Sequence, residues 1–173
     1  MVGLGSCTEA APRDTGEMMR TMTPEQAVDG MYRFYNATVA HLAQDGWEPI
    51  PSDGNVEGQI PEPCALDDGS EGVRYSAGFL GPGQADPLEA AKALATYWEG
   101  LGLKAEALVP ANPKNPRMIA NGVNSSINAQ YMVRKEGASL SFVSGCAKGS
   151  EKALHDKVVQ NRERSARPTP PSE

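Results

Sequence analysis

Residues 23–46 read TPEQAVDGMYRFYNATVAHLAQDG and carry the clearest helix signal in this 173-residue chain. Thr23 can cap a helix, Pro24 suits its first position, and Gln26 can complete a capping box with Thr23. Apolar residues then recur at helical spacing, namely Val28, Met31, Tyr35, Val39 and Leu42. The stretch therefore predicts an amphipathic helix that ends near Asp45 and Gly46.

Two further helices are predicted downstream. Asp86 as cap, Pro87 at the first position and Glu89 completing a capping box repeat the same kind of start. The apolar residues of this second helix are Ala91, Leu94, Ala95, Trp98 and Leu101, and Gly100 and Gly102 close it. A last helix is expected from Ser150, with Ala153, Leu154 and Val158 as its apolar residues.

Apolar and polar residues alternate in several of the segments between the helices, which is typical of half-buried strands. The predicted strands lie at 73–79, 103–109, within 117–123, at 127–133 and around 140–142, with a shorter one near 56–60. Strands in runs, rather than in strict alternation with helices, favour the α+β class. We expect a mostly antiparallel sheet with two main helices packed on one face and a short C-terminal helix.

Composition limits the domain organisation and the function classes. We expect a flexible tether at 1–22, a single α+β domain at 23–162 and a disordered Arg- and Pro-rich tail at 163–173. The net charge of -6 disfavours nucleic acid as a partner, because neutralising phosphates needs a basic surface. The chain contains no run of eighteen apolar residues, which predicts no membrane-spanning segment.

No residue pattern in the chain points to catalysis. His41 and His155 stand outside any metal-binding spacing, so no metal site is predicted. Nucleotide-binding loops and serine-nucleophile motifs are also missing from the sequence, which favours a protein that is not an enzyme and carries no cofactor. Tyr35, Trp47 and Trp98 are candidates for lining an apolar groove, although helical spacing favours a place in the core.

The chain has three cysteines, at positions 7, 64 and 146. Cys64 and Cys146 each flank a predicted strand and form the natural pair in an oxidising compartment. A bridge between them would close a loop for which chain-entropy arguments give a stabilisation of roughly 4.5 kcal/mol. The alternative is two separate buried thiols in a cytosolic protein.

Leu4-Gly5-Ser6-Cys7 fits the lipobox of bacterial lipoproteins, in which the cysteine sulfur accepts a diacylglyceryl group and cleavage before the cysteine leaves that residue as the new amino terminus. Val143-Ser144-Gly145-Cys146 fits the same pattern inside the chain, so the terminal position and the polar tether give the first match its weight. A lipoprotein signal also needs a basic and an apolar segment before the box, and here only Met1-Val2-Gly3 precede it. We therefore expect the natural gene to encode a longer signal peptide.

The box at Leu4 to Cys7, the tether, and the capped helix leading to Asp45-Gly46-Trp47 resemble the actinobacterial, mycobacterial LppA-like group of small cell-envelope lipoproteins. The resemblance implies a binding or accessory protein held on the extracytoplasmic face of the cell membrane by acyl chains, palmitate among them, on Cys7. Its partner would be an envelope or phage protein, and one variant is a prophage-type lipoprotein that excludes superinfecting phage. A carrier of a small apolar ligand or lipid, and a cytosolic regulatory domain with free thiols, remain as alternatives.

Overall fold

The computed structural model describes residues 22–111 and 117–166, which form three helices and eight strands. The helices are α1 (Pro24–Leu42), α2 (Pro87–Gly100) and α3 (Glu151–Ser165). The strands are β1 (Glu62–Ala65), β2 (Glu71–Arg74), β3 (Ser76–Gly81), β4 (Lys104–Leu108), β5 (Met118–Val123), β6 (Ile127–Val133), β7 (Ala138–Ser144) and β8 (Ala147–Lys148). Their antiparallel pairing into two sheets confirms the α+β class.

Helix α1 begins where its capping residues predicted. The Gln26 backbone N–H donates to Thr23 Oγ1 at 3.3 Å, and the Thr23 N–H donates to Gln26 Oε1 at 3.0 Å. The helix ends at Leu42, earlier than expected, because Ala43 takes a left-handed conformation with φ of 49° and its N–H donates to the Val39 carbonyl. A left-handed residue after the last turn is a common way to end a helix.

The large sheet has the strand order β3-β7-β6-β5-β4, and every neighbouring pair is antiparallel. One face of this sheet carries the buried residues of β3, β5, β6 and β7 and the half-buried Ala105 and Ala107 of β4, and α1 and α2 lie against that face. The row of directly opposed residues through its centre is Phe79, Leu140, Tyr131, Ala120 and Ala107. The expected layer of two helices on one sheet face is therefore present.

A second, smaller sheet with the order β1-β2-β8 was missed in the sequence. The strand predicted at 73–79 divides at Tyr75, so β2 belongs to the small sheet and β3 to the large one. The division follows the hydrogen bonds of Tyr75: its N–H donates to Ser144 Oγ at 3.0 Å, and its carbonyl accepts from the Ser144 N–H at 2.8 Å. The end of β7 therefore fixes the point where the chain changes sheets.

Two further predictions differ from the structure: a strand that does not form, and the position where the last helix ends. The strand predicted near 56–60 is wrong: this segment forms turns, and the Asn55 side chain accepts from the N–H groups of Glu57 and Gly58. An Asn side chain that satisfies nearby N–H groups competes with strand pairing. At the other end, α3 continues to Ser165, three residues past the expected end of the domain at 162.

Buried tyrosines make the fold sensitive to alkaline pH. Burial raises the pKa of Tyr75 and of Tyr131 from 10.0 to about 12. The unfolded chain loses these protons near pH 10 while the folded chain keeps them, so the stabilisation is complete below pH 10 and is lost as pH rises through 12. We expect urea midpoints to fall steadily between pH 10 and 12, and the fall to be smaller in Tyr75→Phe. A midpoint independent of pH over this range would contradict the burial of these hydroxyls.

Candidate functional site

Cys64 and Cys146 form a disulfide with an S–S distance of 2.07 Å, as expected from the sequence. The bridge joins β1 to the short connection between β7 and β8. Gly72 of β2 lies opposite Cys64 on one side and opposite Lys148 of β8 on the other. The bridge therefore spans the small sheet and fastens it to the end of the large sheet.

The small sheet is shaped to hold this bridge. A Cβ on Gly72 would lie 2.4 Å from Cys146 Sγ and 3.3 Å from Cys64 Sγ. Contacts closer than about 3 Å between carbon and sulfur are not tolerated in a packed interior. The two sulfur atoms therefore occupy the space that a side chain at position 72 would need, and glycine leaves that space free.

Substituting this glycine tests that fit. We expect Gly72→Ala to lower the free energy of unfolding by about 1–3 kcal/mol through overpacking against the disulfide. Gly30→Ala in α1 is the matched control: a Cβ there meets no atom within 4 Å, and replacing Gly by Ala inside a helix stabilises by about 1 kcal/mol. Urea unfolding of both variants measures the difference, and equal effects of the two substitutions would contradict the packing at Gly72.

The lipidation candidate Cys7 lies outside the described residues. The chain enters the domain beside the small sheet, because the Lys148 N–H of β8 donates to the Met22 carbonyl at 3.0 Å. Fifteen peptide units separate Cys7 from Met22, and a fully extended chain of that length spans about 50 Å. A lipid on Cys7 would therefore hold the domain within about 50 Å of a membrane, from the side where β8 and the disulfide lie.

The apolar groove suggested by Tyr35, Trp47 and Trp98 is wrong. Tyr35 is 3% exposed and stacks on Phe79 with ring centroids 3.7 Å apart, and Trp98 is fully buried. Trp47 is half-buried and packs its ring on Gly81, where a Cβ would lie 2.3 Å away. The aromatic residues of α1 and α2 face the sheet, so Tyr35 and Trp98 fill the core, and Trp47 packs against that core from the segment after α1.

Among residues 22–111 and 117–166, no helix or second sheet is seen to pack on the opposite face of the large sheet. It consists of three rows of half-buried or exposed residues that run across all five strands. We call this surface the open face. Its first row is Ser76, Val143, Asn128, Val123 and Lys104; its second is Gly78, Ser141, Gln130, Asn121 and Glu106; its third is Leu80, Ser139, Met132, Ile119 and Leu108.

The rows differ in chemistry. The second row is polar, and Gln130 Nε2 donates to Asn121 Oδ1 at 3.0 Å within it. The third row is mainly apolar, with an Arg117 guanidinium nitrogen 3.8 Å from Met132 Sδ. A shallow cleft of about 510 Å³ lies over the first and second rows, and another of about 370 Å³ lies over the third row beside the turn before β7. The open face thus offers hydrogen-bonding groups and apolar groups side by side on a nearly continuous surface.

The two outer edges of the large sheet, along β3 and β4, differ in whether other parts of the chain hydrogen-bond to them. At the β3 edge, the Glu48 N–H donates to the Leu80 carbonyl at 3.0 Å, and the Leu80 N–H donates to Glu48 Oε2 at 2.8 Å. At the β4 edge, β5 is the single strand paired with β4 within the described chain. The first edge is therefore covered by the chain that follows α1, and the second is left accessible.

Comparison with known proteins gave no relative: no protein family, no curated protein and no solved structure matches the chain. Within residues 22–111 and 117–166, no three His, Cys, Asp or Glu side chains come together in a way that could hold a metal ion. None of the helices in these two ranges is both long and apolar enough to cross a bilayer.

Proposed function

We propose that this protein is a lipid-anchored binding or accessory protein on the extracytoplasmic face of a bacterial cell membrane, with Cys7 as the lipidated residue. The observation that carries the proposal is the Cys64–Cys146 disulfide. Disulfides form and persist in oxidising compartments, such as the space outside the cytoplasmic membrane. The bridge uses two of the three cysteines in the chain and leaves Cys7, within its lipobox, as the third.

The alternative of a cytosolic domain with free thiols fits these contacts less well. Cytosolic thiols are kept reduced, so two cysteines there would need no common space. Here Gly72 supplies a gap that the two sulfur atoms fill together. This arrangement favours a chain that folds with the bridge in place.

A lipid on Cys7 would hold the protein on the membrane without a transmembrane helix. A single acyl chain gives only marginal binding, whereas two give stable anchoring, and the diacylglyceryl group supplies two. The tether then leaves the folded domain free to meet a partner at a distance from the bilayer.

The open face is the part of the domain that we assign to partner binding. Small ligands bind in concave, mostly apolar sites, whereas this surface extends across five strands, its clefts are shallow, and a polar second row lies beside a mainly apolar third row. The carrier alternative would need space between the helices and the sheet, and where α2 packs on β5 there is none, because a Cβ on Gly122 would lie only 2.8 Å from the Trp98 ring. A protein that offers hydrogen-bonding groups to Gln130 and apolar side chains to Met132 fits this face best.

Metabolic labelling tests the anchoring. The natural gene is expressed in its own host with an alkyne analogue of palmitate, and the tagged protein is isolated from the membrane fraction. We expect the label on the wild type and on Cys146→Ala/Cys64→Ala, and its loss in Cys7→Ala. The cysteine pair is a matched control because Val143–Cys146 fits the lipobox pattern as well as Leu4–Cys7 does. Label retained in Cys7→Ala would contradict the proposal.

Site-specific photo-crosslinking tests the binding surface in the same cells. A benzophenone amino acid replaces Ser141 on the open face or Lys92 on the exposed side of α2. We expect one discrete crosslinked protein from position 141, lost when Gln130→Arg is added, and none from position 92. Equal crosslinking from the two positions would contradict the assignment to the open face while leaving the lipid anchor untouched.

A further inference from the structure

The outer edge of β4 is an accessible strand edge. An edge strand presents a row of N–H and C=O groups that can pair with another strand, and most proteins block such edges. The β3 edge of the same sheet is blocked by its two hydrogen bonds with Glu48. No equivalent block covers β4 within residues 22–111 and 117–166.

Exposed apolar side chains concentrate at this same edge. Seven large apolar residues of the described chain are exposed, and four of them lie on β4, beside it or on the adjoining strand. These four are Leu101 at 44%, Leu108 at 38%, Val109 at 60% and Val123 at 47%. A local excess of exposed apolar surface marks interaction sites on proteins.

We propose that β4 pairs in antiparallel fashion with β4 of a second copy of this chain, with Ala105 on the two-fold axis. In this register Lys104 lies directly opposite the partner subunit's Glu106, and Glu106 lies opposite the partner subunit's Lys104. Opposite charges on directly opposed residues stabilise antiparallel pairs, and a two-fold axis creates each of these contacts twice.

The neighbouring registers are less favourable. Centring the pair on Glu106 would put this carboxylate directly opposite the partner subunit's Glu106, and like charges in that position are destabilising. Centring it on Ala107 would place Glu106 opposite the partner subunit's Leu108 and leave Lys104 beyond the paired strands. The charge pattern of β4 therefore selects the register centred on Ala105.

This dimer would have one continuous sheet of ten strands, five from each copy. Directly opposed residues lie on the same face of a sheet, so the two open faces would join into one surface, with both helix layers on the other side. Anchoring two copies on one membrane would raise their effective concentration and favour the pairing. The inference does not depend on the anchor, because the contacts involve β4 and its neighbours alone.

Cysteine crosslinking tests the register in the full chain carrying Cys7→Ser. Across the two-fold axis, Cα atoms of directly opposed residues lie about 4.5–5.5 Å apart, which suits a disulfide. We expect Ala105→Cys to form a covalent dimer on mild oxidation. Ala107→Cys is the matched control. In this register the two copies of position 107 are offset by four residues along the strands, so their Cα atoms would be more than about 13 Å apart. Crosslinking of Ala107→Cys in preference to Ala105→Cys would overturn the proposal.

Sedimentation velocity tests the charge pairing. We expect concentration-dependent dimers for the wild type, and a dissociation constant at least tenfold higher for Glu106→Lys. The double variant Lys104→Glu/Glu106→Lys exchanges the charges and should return to within about threefold of the wild type. Glu136→Lys, in the exposed turn before β7, should behave as the wild type. A wild type that stays monomeric up to millimolar concentration, or equal effects of Glu106→Lys and Glu136→Lys, would overturn the proposal.

Discussion

Cys64→Ala/Cys146→Ala is expected to unfold with a free energy about 4.5 kcal/mol lower than that of the wild type. The bridge links residues 82 apart in sequence, so removing it restores a large amount of conformational freedom to the unfolded chain. The effect should be large relative to the total stability of a domain of this size, which is typically about 5–15 kcal/mol. The small sheet, which the bridge fastens, should be the first part to lose structure.

Urea unfolding followed by circular dichroism measures this effect, with and without reductant. Addition of reductant should lower the wild-type midpoint to that of the double variant and should leave the double variant unchanged. Cys7→Ser is the control and should unfold like the wild type, because Cys7 takes no part in the bridge. A loss of less than about 1 kcal/mol on reduction would contradict a structural role for the bridge.

Trp98→Ala is the second large effect that we expect, with a loss of about 3–5 kcal/mol in the free energy of unfolding. Trp98 is fully buried between α2 and the large sheet, with its ring centroid 5.9 Å from that of Phe34. Removing the ring would leave a cavity that the rigid sheet cannot close. Thermal unfolding, checked by tryptophan fluorescence of the remaining Trp47, measures the loss.

The hydrogen bond of Trp98 can be separated from its packing. Its Nε1–H donates to Thr38 Oγ1 at 3.2 Å, and Thr38 is fully buried. Thr38→Val leaves this donor buried without its acceptor and should cost about 1–3 kcal/mol. Trp98→Phe removes the donor, so the double variant Trp98→Phe/Thr38→Val should cost less than the sum of the two single changes. Strict additivity would show that the hydrogen bond contributes nothing.

The helices were predictable because their starts are encoded locally. Thr23 and Gln26 make both bonds of the predicted capping box, whereas at α2 the structure shows only the bond from the Glu89 N–H to Asp86, and Ser150 of α3 makes no side-chain capping bond. The end of α1 was not predictable, since Ala43 adopts a left-handed conformation that Gly or Asn would normally provide. Local sequence therefore fixed where helices begin better than where they end.

The sheets were predictable strand by strand but not as two sheets. Alternation of side chains located β6, and β5 and β7 were placed approximately, whereas the division at Tyr75 depends on hydrogen bonds with Ser144, which is 69 residues away. The open face depends on the same long-range order. Its polar residues Asn121, Gln130 and Ser141 stood at alternate positions of the predicted strands, but the strand order was needed to show that they form one row.

The pairing of Cys64 with Cys146 was predictable from the chemistry of cysteine, without any sequence motif. Two cysteines flanking strands pointed to the Cys64–Cys146 bridge, and the structure brings them together. The prediction of an aromatic groove was wrong because residue type alone does not distinguish an aromatic side chain in the core from one that binds a ligand. Tyr35 belongs to the apolar stripe of α1 and Trp98 to that of α2, and the apolar stripe of an amphipathic helix most simply faces the core.

Mass spectrometry of the mature protein tests the central claim most directly. The protein is extracted with detergent from the membranes of its own host, and the mass of its first peptide is measured without reduction. We expect the chain to begin at Cys7, with a diacylglyceryl group on its sulfur and an intact bridge between Cys64 and Cys146. A first peptide in which an unmodified Cys7 still follows Ser6 would contradict the claim.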